Sequence, residues 1–284
     1  MRPRELQDAL NHHLYHPLAW RLARTLARTR VTPNMVSVAG GLAVASAGAA
    51  YAGPLWGLAW PGSAVAGLAL HMAWHVIDGA DGDLARITGR SSPRGEMVDG
   101  LCDYAGHFAM YLLLAALLAA QVGPIGWAAM TAVGVAHAVQ ANHVEVQRRF
   151  YLHWVHGKPW LANQRPAVRG PFAWLVALYL RAGAGMSPHA AAIDRAVTAA
   201  GHDPLRREAL RALVREESAP LLRIERWLGP NQRTIALGLS MLLTASPLAY
   251  AGYVLVWQSA LLAVSVVRHN RAALRIAARI AALG

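Results

Sequence analysis

Four aspartates define the chemistry open to this chain. They stand in Asp78-Gly-Ala-Asp81-Gly82-Asp-Leu-Ala85-Arg86 and, after eight further residues, in Gly95-Glu-Met-Val-Asp99-Gly-Leu-Cys-Asp103. Asp78 and Asp81 are three apart and Asp99 and Asp103 four apart, so each pair shares one face of a helix. The short link makes the two helices antiparallel neighbours whose acidic faces can converge. Converging carboxylates repel, and a retained proton or a bound cation relieves the repulsion. All-oxygen ligands suit Mg²⁺, Mn²⁺ or Ca²⁺ and not zinc. Such magnesium sites keep positions for water or substrate phosphates. Mg²⁺ or Mn²⁺ bridged to a diphosphate is the natural occupant, and four ligands can serve two ions.

The residues between the aspartates fit the same chemistry. Gly79, Gly82 and Ala85 thin one helix face enough for a base or phosphate to approach the backbone. Packing between membrane helices through small residues explains them equally well. Arg86 lies two turns after Asp78 on the same side, where its fork of donors can reach phosphate oxygens.

The elements that must position these groups are membrane helices. The chain of 284 residues is 55% hydrophobic and only 15% charged, outside the usual range of a soluble domain. No Lys or Arg occurs in residues 31–85, 95–147 and 234–267. Each window holds two helices of about 20 residues, the length that crosses a bilayer core. Each has a central turn signal: Gly53-Pro54, Gly123-Pro124, and Pro247 followed by Gly252. Three helical hairpins, or six spans, follow. Basic residues flank the cytoplasmic ends of spans, which places both termini and both long connections in the cytoplasm. The net charge of +12 therefore meets lipid headgroups and does not signal nucleic acid. Cys102 is the only cysteine, so no disulfide forms within the chain. The polar, His-rich N-terminus gives no sign of a cleavable signal peptide.

Residues 4–29 read as an interfacial helix. Leu6, Leu10, Leu14, Leu18, Leu22 and Leu26 recur every fourth residue between Arg21, Arg24 and Arg28, with Pro17 as a bend. Thr32-Pro33-Asn34 starts the first span with a cap and a first-turn proline. The spans are expected from there to about Ala50, from about Trp56 past Arg86, from Gly95 to Gln121, from Ile125 to Gln147, and over 232–248 and 251–267. Between the fourth and fifth lies a long connection. It holds an apolar stretch from Pro171 to Leu180, too short to span, and helices starting at Ser187-Pro188 and Asp203-Pro204. The tail, with Arg268, Arg271, Arg275 and Arg279, reads as a second basic amphipathic helix.

The pattern D-x2-D-G-x2-A-R-x8-G-x3-D-x3-D resembles the signature of the CDP-alcohol phosphatidyltransferase family (class I). Asp78, Asp81, Gly82, Ala85, Arg86, Gly95, Asp99 and Asp103 fill every fixed position. The resemblance is clear over roughly residues 30–145 and extends to the six spans and the amphipathic N-terminus; the C-terminal third agrees only in span count. It implies that Asp78, Asp81 and Asp99 ligate the metals, with Asp103 beside them as metal neighbour and general base. It implies that Gly82, Ala85 and Arg86 contact the CDP-alcohol, with Ser92 and, at the first span, Asn34 lining the same pocket. It also implies a homodimer.

Other residues have plainer readings. His71 and His75 suit polar helix packing. His107, one turn beyond Asp103, could orient it. Asp83 and Glu96 fall outside the pattern and read as solvated or paired with Arg90 or Arg94, and Cys102 as a small buried residue. Arg148, Arg149, Lys158, Arg165, Arg169, Arg226 and Arg233 could meet an acceptor phosphate, Arg233 and Arg149 being the preferred pair, although headgroup contact explains most of them.

The expected fold is all-α: a polytopic membrane protein with six transmembrane helices and an N-terminal amphipathic interfacial helix. Residues 1–30 form the juxtamembrane helix, 31–147 spans one to four with the motif, 148–231 a cytoplasmic or interfacial helical insertion, 232–268 spans five and six, and 269–284 the basic tail. The expected function is metal-dependent transfer of a phosphatidyl group from a CDP-linked lipid, CDP-diacylglycerol, to a polyol or polyol phosphate in phospholipid biosynthesis. CMP is released at the cytoplasmic face of the inner membrane. Two alternatives stand beside it. A small CDP-alcohol could donate to a lipid hydroxyl, or the acidic cluster could belong to a divalent-cation transporter or sensor, which has no need of Gly82, Ala85 or Arg86.

Overall fold

A computed structural model describes residues 3–158, 173–201 and 203–282. Every element among them is helical. The α-helices are α1 (His16–Leu26), α2 (Pro33–Tyr51), α3 (Gly62–Ile87), α4 (Pro93–Val122), α5 (Ile125–His156), α6 (Ala173–Met186), α7 (Ala190–Ala199), α8 (Pro204–Ser218), α9 (Leu222–Trp227), α10 (Pro230–Thr244), α11 (Leu248–Gly252) and α12 (Ser259–Ala281). The chain divides into two compact units. One comprises residues Gln7–Ala136 and Pro230–Val256; the other comprises Met1–Leu6, His137–Gly229 and Trp257–Gly284. Arg94–Val122 and Leu248–Ala281 are long and apolar enough to cross a membrane.

The first unit carries the aspartates. Thr32 caps α2 by accepting from the Met35 N–H, and Ser92 caps α4 by accepting from the Gly95 N–H. Pro33 and Pro93 occupy the first helical positions, where a missing N–H costs nothing. Glycines let α2 and α4 cross closely. A Cβ on Gly41 would lie 2.6 Å from the Cys102 carbonyl oxygen, and one on Gly48 2.6 Å from the Met110 Cα. The core around that crossing joins Val44, Tyr51, Trp74, Met110, Leu114, Leu118, Met130, Leu237 and Met241.

The N-terminal helix departs from the expected single run over 4–29. Residues Arg4–Leu6 form a separate 3-10 turn, and the Asp8 carboxylate accepts from the Asn11 N–H at the start of a π-turn, Asn11–Tyr15. The π-turn leads directly into α1, so the helical run is divided just before Pro17, where the widened turn accommodates the missing N–H. Tyr15, Ala19 and Ala23 are buried, the two alanines packing with Val36, Ala80 and Leu84. Leu14 and Leu18, one turn apart, stay exposed on one side of the buried alanines, and Trp20 on the other.

In the second unit, the end of α5 packs with α7, α8, α9 and α12 around Val146, Phe150, Trp154, Ile193, Leu213, Val214, Leu222 and Ile276. Asp203 caps α8 by accepting from the N–H groups of Leu205 and Arg206, as Asp203-Pro204 led one to expect. Two expected boundaries are not breaks in the helices. α5 runs through residue 147 to His156, and α12 continues through residue 267 to Ala281, so the basic tail is not a separate helix. Neither junction contains a Gly or Pro, so nothing interrupts the backbone hydrogen bonding there. Span two likewise begins later than expected: a 3-10 turn occupies Gly53–Trp56, and Pro61 is the N-cap residue before Gly62.

Candidate active site

The site lies between the end of α3 and the start of α4. Oxygens of Asp78, Asp99 and Asp103 all come within 4.8 Å of one another, and all three residues are half-buried. Hard oxygen donors so grouped fit a divalent cation, since ligands 2.0–2.6 Å from an ion are about 3–5 Å from each other. The three-carboxylate set is therefore fit to hold a metal ion. Asp81 is outside that set. It is buried one turn after Asp78, and its Oδ2 accepts a hydrogen bond from the Ser37 hydroxyl at 2.6 Å.

Asp103 is held from both ends. Trp74 Nε1 donates to its Oδ1 at 2.9 Å, and His107 Nδ1 donates to its main-chain carbonyl at 2.8 Å. His107 thus acts on the Asp103 backbone in the bond seen here. His75 bonds Thr234 Oγ1 of α10 at 2.9 Å and stacks on Tyr15, and His71 is buried beside it, which gives both the packing role expected of them.

The glycines of the motif separate into two kinds. Gly79 is buried, whereas a Cβ on Gly82 would meet only its own Arg86 side chain, at 3.5 Å. Apart from that one flexible side chain the face is open, so packing against a neighbouring helix does not account for this glycine. Ala85 is half-buried on the next turn. Arg86 bonds Asp83 and remains largely exposed. This corrects the expected partner of Asp83, because an i,i+3 pair on one helix forms more readily than a pair across the α3–α4 loop. Ser92 is exposed, its hydroxyl committed to the α4 cap, and the Asn34 side-chain oxygen lies 3.8 Å from the Cβ position of Gly95. Glu96 is exposed, and Cys102 is half-buried instead of buried.

The acceptor candidates are scattered. Arg233, on α10 of the same unit, is buried near Tyr111 and Tyr250, whose hydroxyls bond at 2.7 Å. In the other unit Arg148 and Arg149 both bond Glu145, Arg226 donates to the Glu5 carbonyl, and Lys158 is exposed. Arg165, Arg169 and Pro171 lie outside the described residues. Sequence reasoning missed Trp74 and Ser37. Trp74 stands four residues before Asp78, one turn away on the same face, which was the available signal.

The model of the family described as CDP-alcohol phosphatidyltransferase matches residues 30–192. That is more than half of the chain, and it reaches beyond residue 145 through α6 into α7. No curated protein and no solved structure matches the chain. Among the described residues the fold is all-helical, and it carries a carboxylate set fit for a metal ion; the family match adds the transferase class. The chain belongs to the CDP-alcohol phosphatidyltransferase family. It is a transferase of the kind that passes a phosphatidyl group from a CDP-alcohol to an alcohol.

Proposed function

We propose that this protein transfers the phosphatidyl group of CDP-diacylglycerol to the hydroxyl of a small polyol or polyol phosphate. CMP is released and a phospholipid is made. The observation that carries this reading is the meeting of Asp78, Asp99 and Asp103 within 4.8 Å, next to the open face of Gly82. Asp78, Asp99 and Asp103 would hold Mg²⁺ or Mn²⁺, with Asp81 one turn from Asp78 extending the set to two ions. Such ions would neutralise charge on the diphosphate.

The chain's own residues do the rest. Gly82 and Ala85 let the nucleotide and diphosphate lie against α3. Arg86 exchanges Asp83 for phosphate oxygens, a better match to its fork of donors. Asn34 and Ser92, at the starts of α2 and α4, line the nucleotide side. Asp103 accepts the proton of the acceptor hydroxyl. That oxygen bonds to the phosphorus attached to diacylglycerol as the bond from phosphorus to CMP breaks. Arg233, on α10 of the unit that carries the aspartates, recognises the acceptor. The enzyme is a homodimer of six-span subunits in the inner membrane, with its site and both termini on the cytoplasmic side.

The test is product identification. Purified protein in lipid micelles with Mn²⁺ receives labelled CDP-diacylglycerol or CDP-choline and a panel of acceptors. Labelled phospholipid and CMP from the first donor alone are expected. Turnover of CDP-choline onto a lipid hydroxyl would reverse the assignment, and no CMP from either donor would remove it.

A further inference from the structure

The bond from Trp74 to Asp103 has more than a packing role. Trp74 is 6% exposed, and its indole is enclosed by other rings: His75 at 4.5 Å between centroids, His107 edge-on at 4.8 Å and His71 at 5.8 Å. An indole so enclosed cannot turn its N–H elsewhere. The indole N–H is a donor only, so it always presents a proton to Oδ1 of Asp103. On the other side of the same residue, His107 grips the main-chain carbonyl while packing against the Trp74 ring. Asp103 is thereby fixed at its carbonyl and at one carboxylate oxygen, and Oδ2 is the oxygen that Trp74 does not engage. Asp103 also shares a side-chain hydrogen bond with Asp78, and the Trp74 bond determines which of its two oxygens is left to face that neighbour and the cation position.

We propose that Trp74 is a positioning residue. Its N–H holds Oδ1 so that Oδ2 is the atom that takes the acceptor's proton. The O–H bond of the acceptor breaks, an O–H bond forms at Oδ2, and the freed oxygen attacks phosphorus with departure of CMP. This rests on the reading of Asp103 as the base. The bond runs between the helices that carry the two halves of the motif, α3 and α4, so it also fixes the distance over which the halves cooperate.

A shape role and a hydrogen-bond role are separable with one isosteric replacement. The full-length protein in lipid micelles with Mn²⁺ is compared as wild type, Trp74→Phe and Trp74→β-(3-benzothienyl)alanine, in which sulfur replaces the N–H at nearly unchanged shape. Each is assayed with whichever of CDP-diacylglycerol or CDP-choline the wild type turns over, and with one fixed mixture of glycerol, glycerol 3-phosphate, inositol and serine as acceptors. Both variants should lose about 10- to 100-fold in kcat, the range set by one hydrogen bond to a charged group. KM for the donor should stay within about twofold, because ground-state binding is untouched. The thermal midpoint of the benzothienyl form should equal that of the wild type. A benzothienyl form with wild-type kcat overturns the proposal, as does a loss confined to KM. A wild type that releases no CMP overturns instead the functional reading beneath it, a result that no comparison among variants can mimic.

Discussion

Two polar clusters, a buried one in the second unit and a half-buried one in the first, answer the same problem in opposite ways. In the second unit Glu225 faces His269 at 2.8 Å, each less than a tenth exposed, and Ser265 links His269 to His143 through contacts of 3.2 and 3.0 Å. Burial pushes the Glu225 carboxyl up from its ordinary value, and His269 draws it back. An acid meets a base, with Arg148 adding positive charge, so the cluster carries its own counter-charge. In the first unit three acids meet one another. Like charges gathered in a small volume are favoured only by something positive, so this cluster is shaped for a ligand. The lesson is that the sign balance of a buried cluster, more than its polarity, separates scaffold from site.

The sharpest break of that comparison is Asp103→Asn. CMP release should fall about 10²- to 10⁴-fold, the usual contribution of a general base. The thermal midpoint should hold or rise, since one repelling charge is gone. Retained turnover would show that Asp103 is not the base. Next in size is His269→Ala, which leaves Glu225 buried without its base. A loss of roughly 3 kcal/mol in stability is expected, read as a lowered midpoint of unfolding in micelles. An unchanged midpoint would mean that the second cluster is not self-sufficient scaffold. Metal addition comes third. Mn²⁺ at about 100 times its dissociation constant should raise the stability of the wild type by about 2.7 kcal/mol. It should do so equally in His269→Ala on its lower baseline, and not in Asp99→Asn. An equal rise in Asp99→Asn would place the ion elsewhere.

The legible parts of the molecule are those written in local spacing. The three- and four-residue intervals among Asp78, Asp81, Asp99 and Asp103 led to a shared helix face, and three of the four do gather. Thr32 and Asp203-Pro204 marked helix starts because capping is decided within a single turn, whereas α7 begins at Ala190, past the expected Ser187-Pro188, with His189 as an N-cap that makes no side-chain bond. What escaped was contact between elements. Nothing in the sequence pairs Ser37 with Asp81, 44 residues on, or Trp74 with Asp103, because both bonds depend on how α2, α3 and α4 cross. The Asp83–Arg86 pair escaped for another reason: Arg86 was reserved for phosphate, and an i,i+3 partner within reach was passed over. The ends of α5 and α12 lie beyond the span ends expected at 147 and 267, because hydropathy falls at those two positions while helix propensity does not.

The smallest expected effects come from adding one methyl group at Gly41 or at Gly82. Both glycines sit inside helices, where alanine is intrinsically favoured by up to about 1 kcal/mol. Their surroundings send that gain in different directions. At Gly41 the new Cβ would meet the Cys102 carbonyl at 2.6 Å, so α2 and α4 must part and Gly41→Ala should cost about 1–3 kcal/mol of stability. At Gly82 the same methyl finds only the end of Arg86, a flexible side chain that can move aside, so Gly82→Ala should keep or slightly gain stability. If the open face at Gly82 exists for a substrate, the gain in stability comes with a raised KM for the CDP-alcohol. Paired midpoint and KM measurements on the two variants test this. Gly82→Ala with an unaltered KM would show that the CDP-alcohol does not lie against that face.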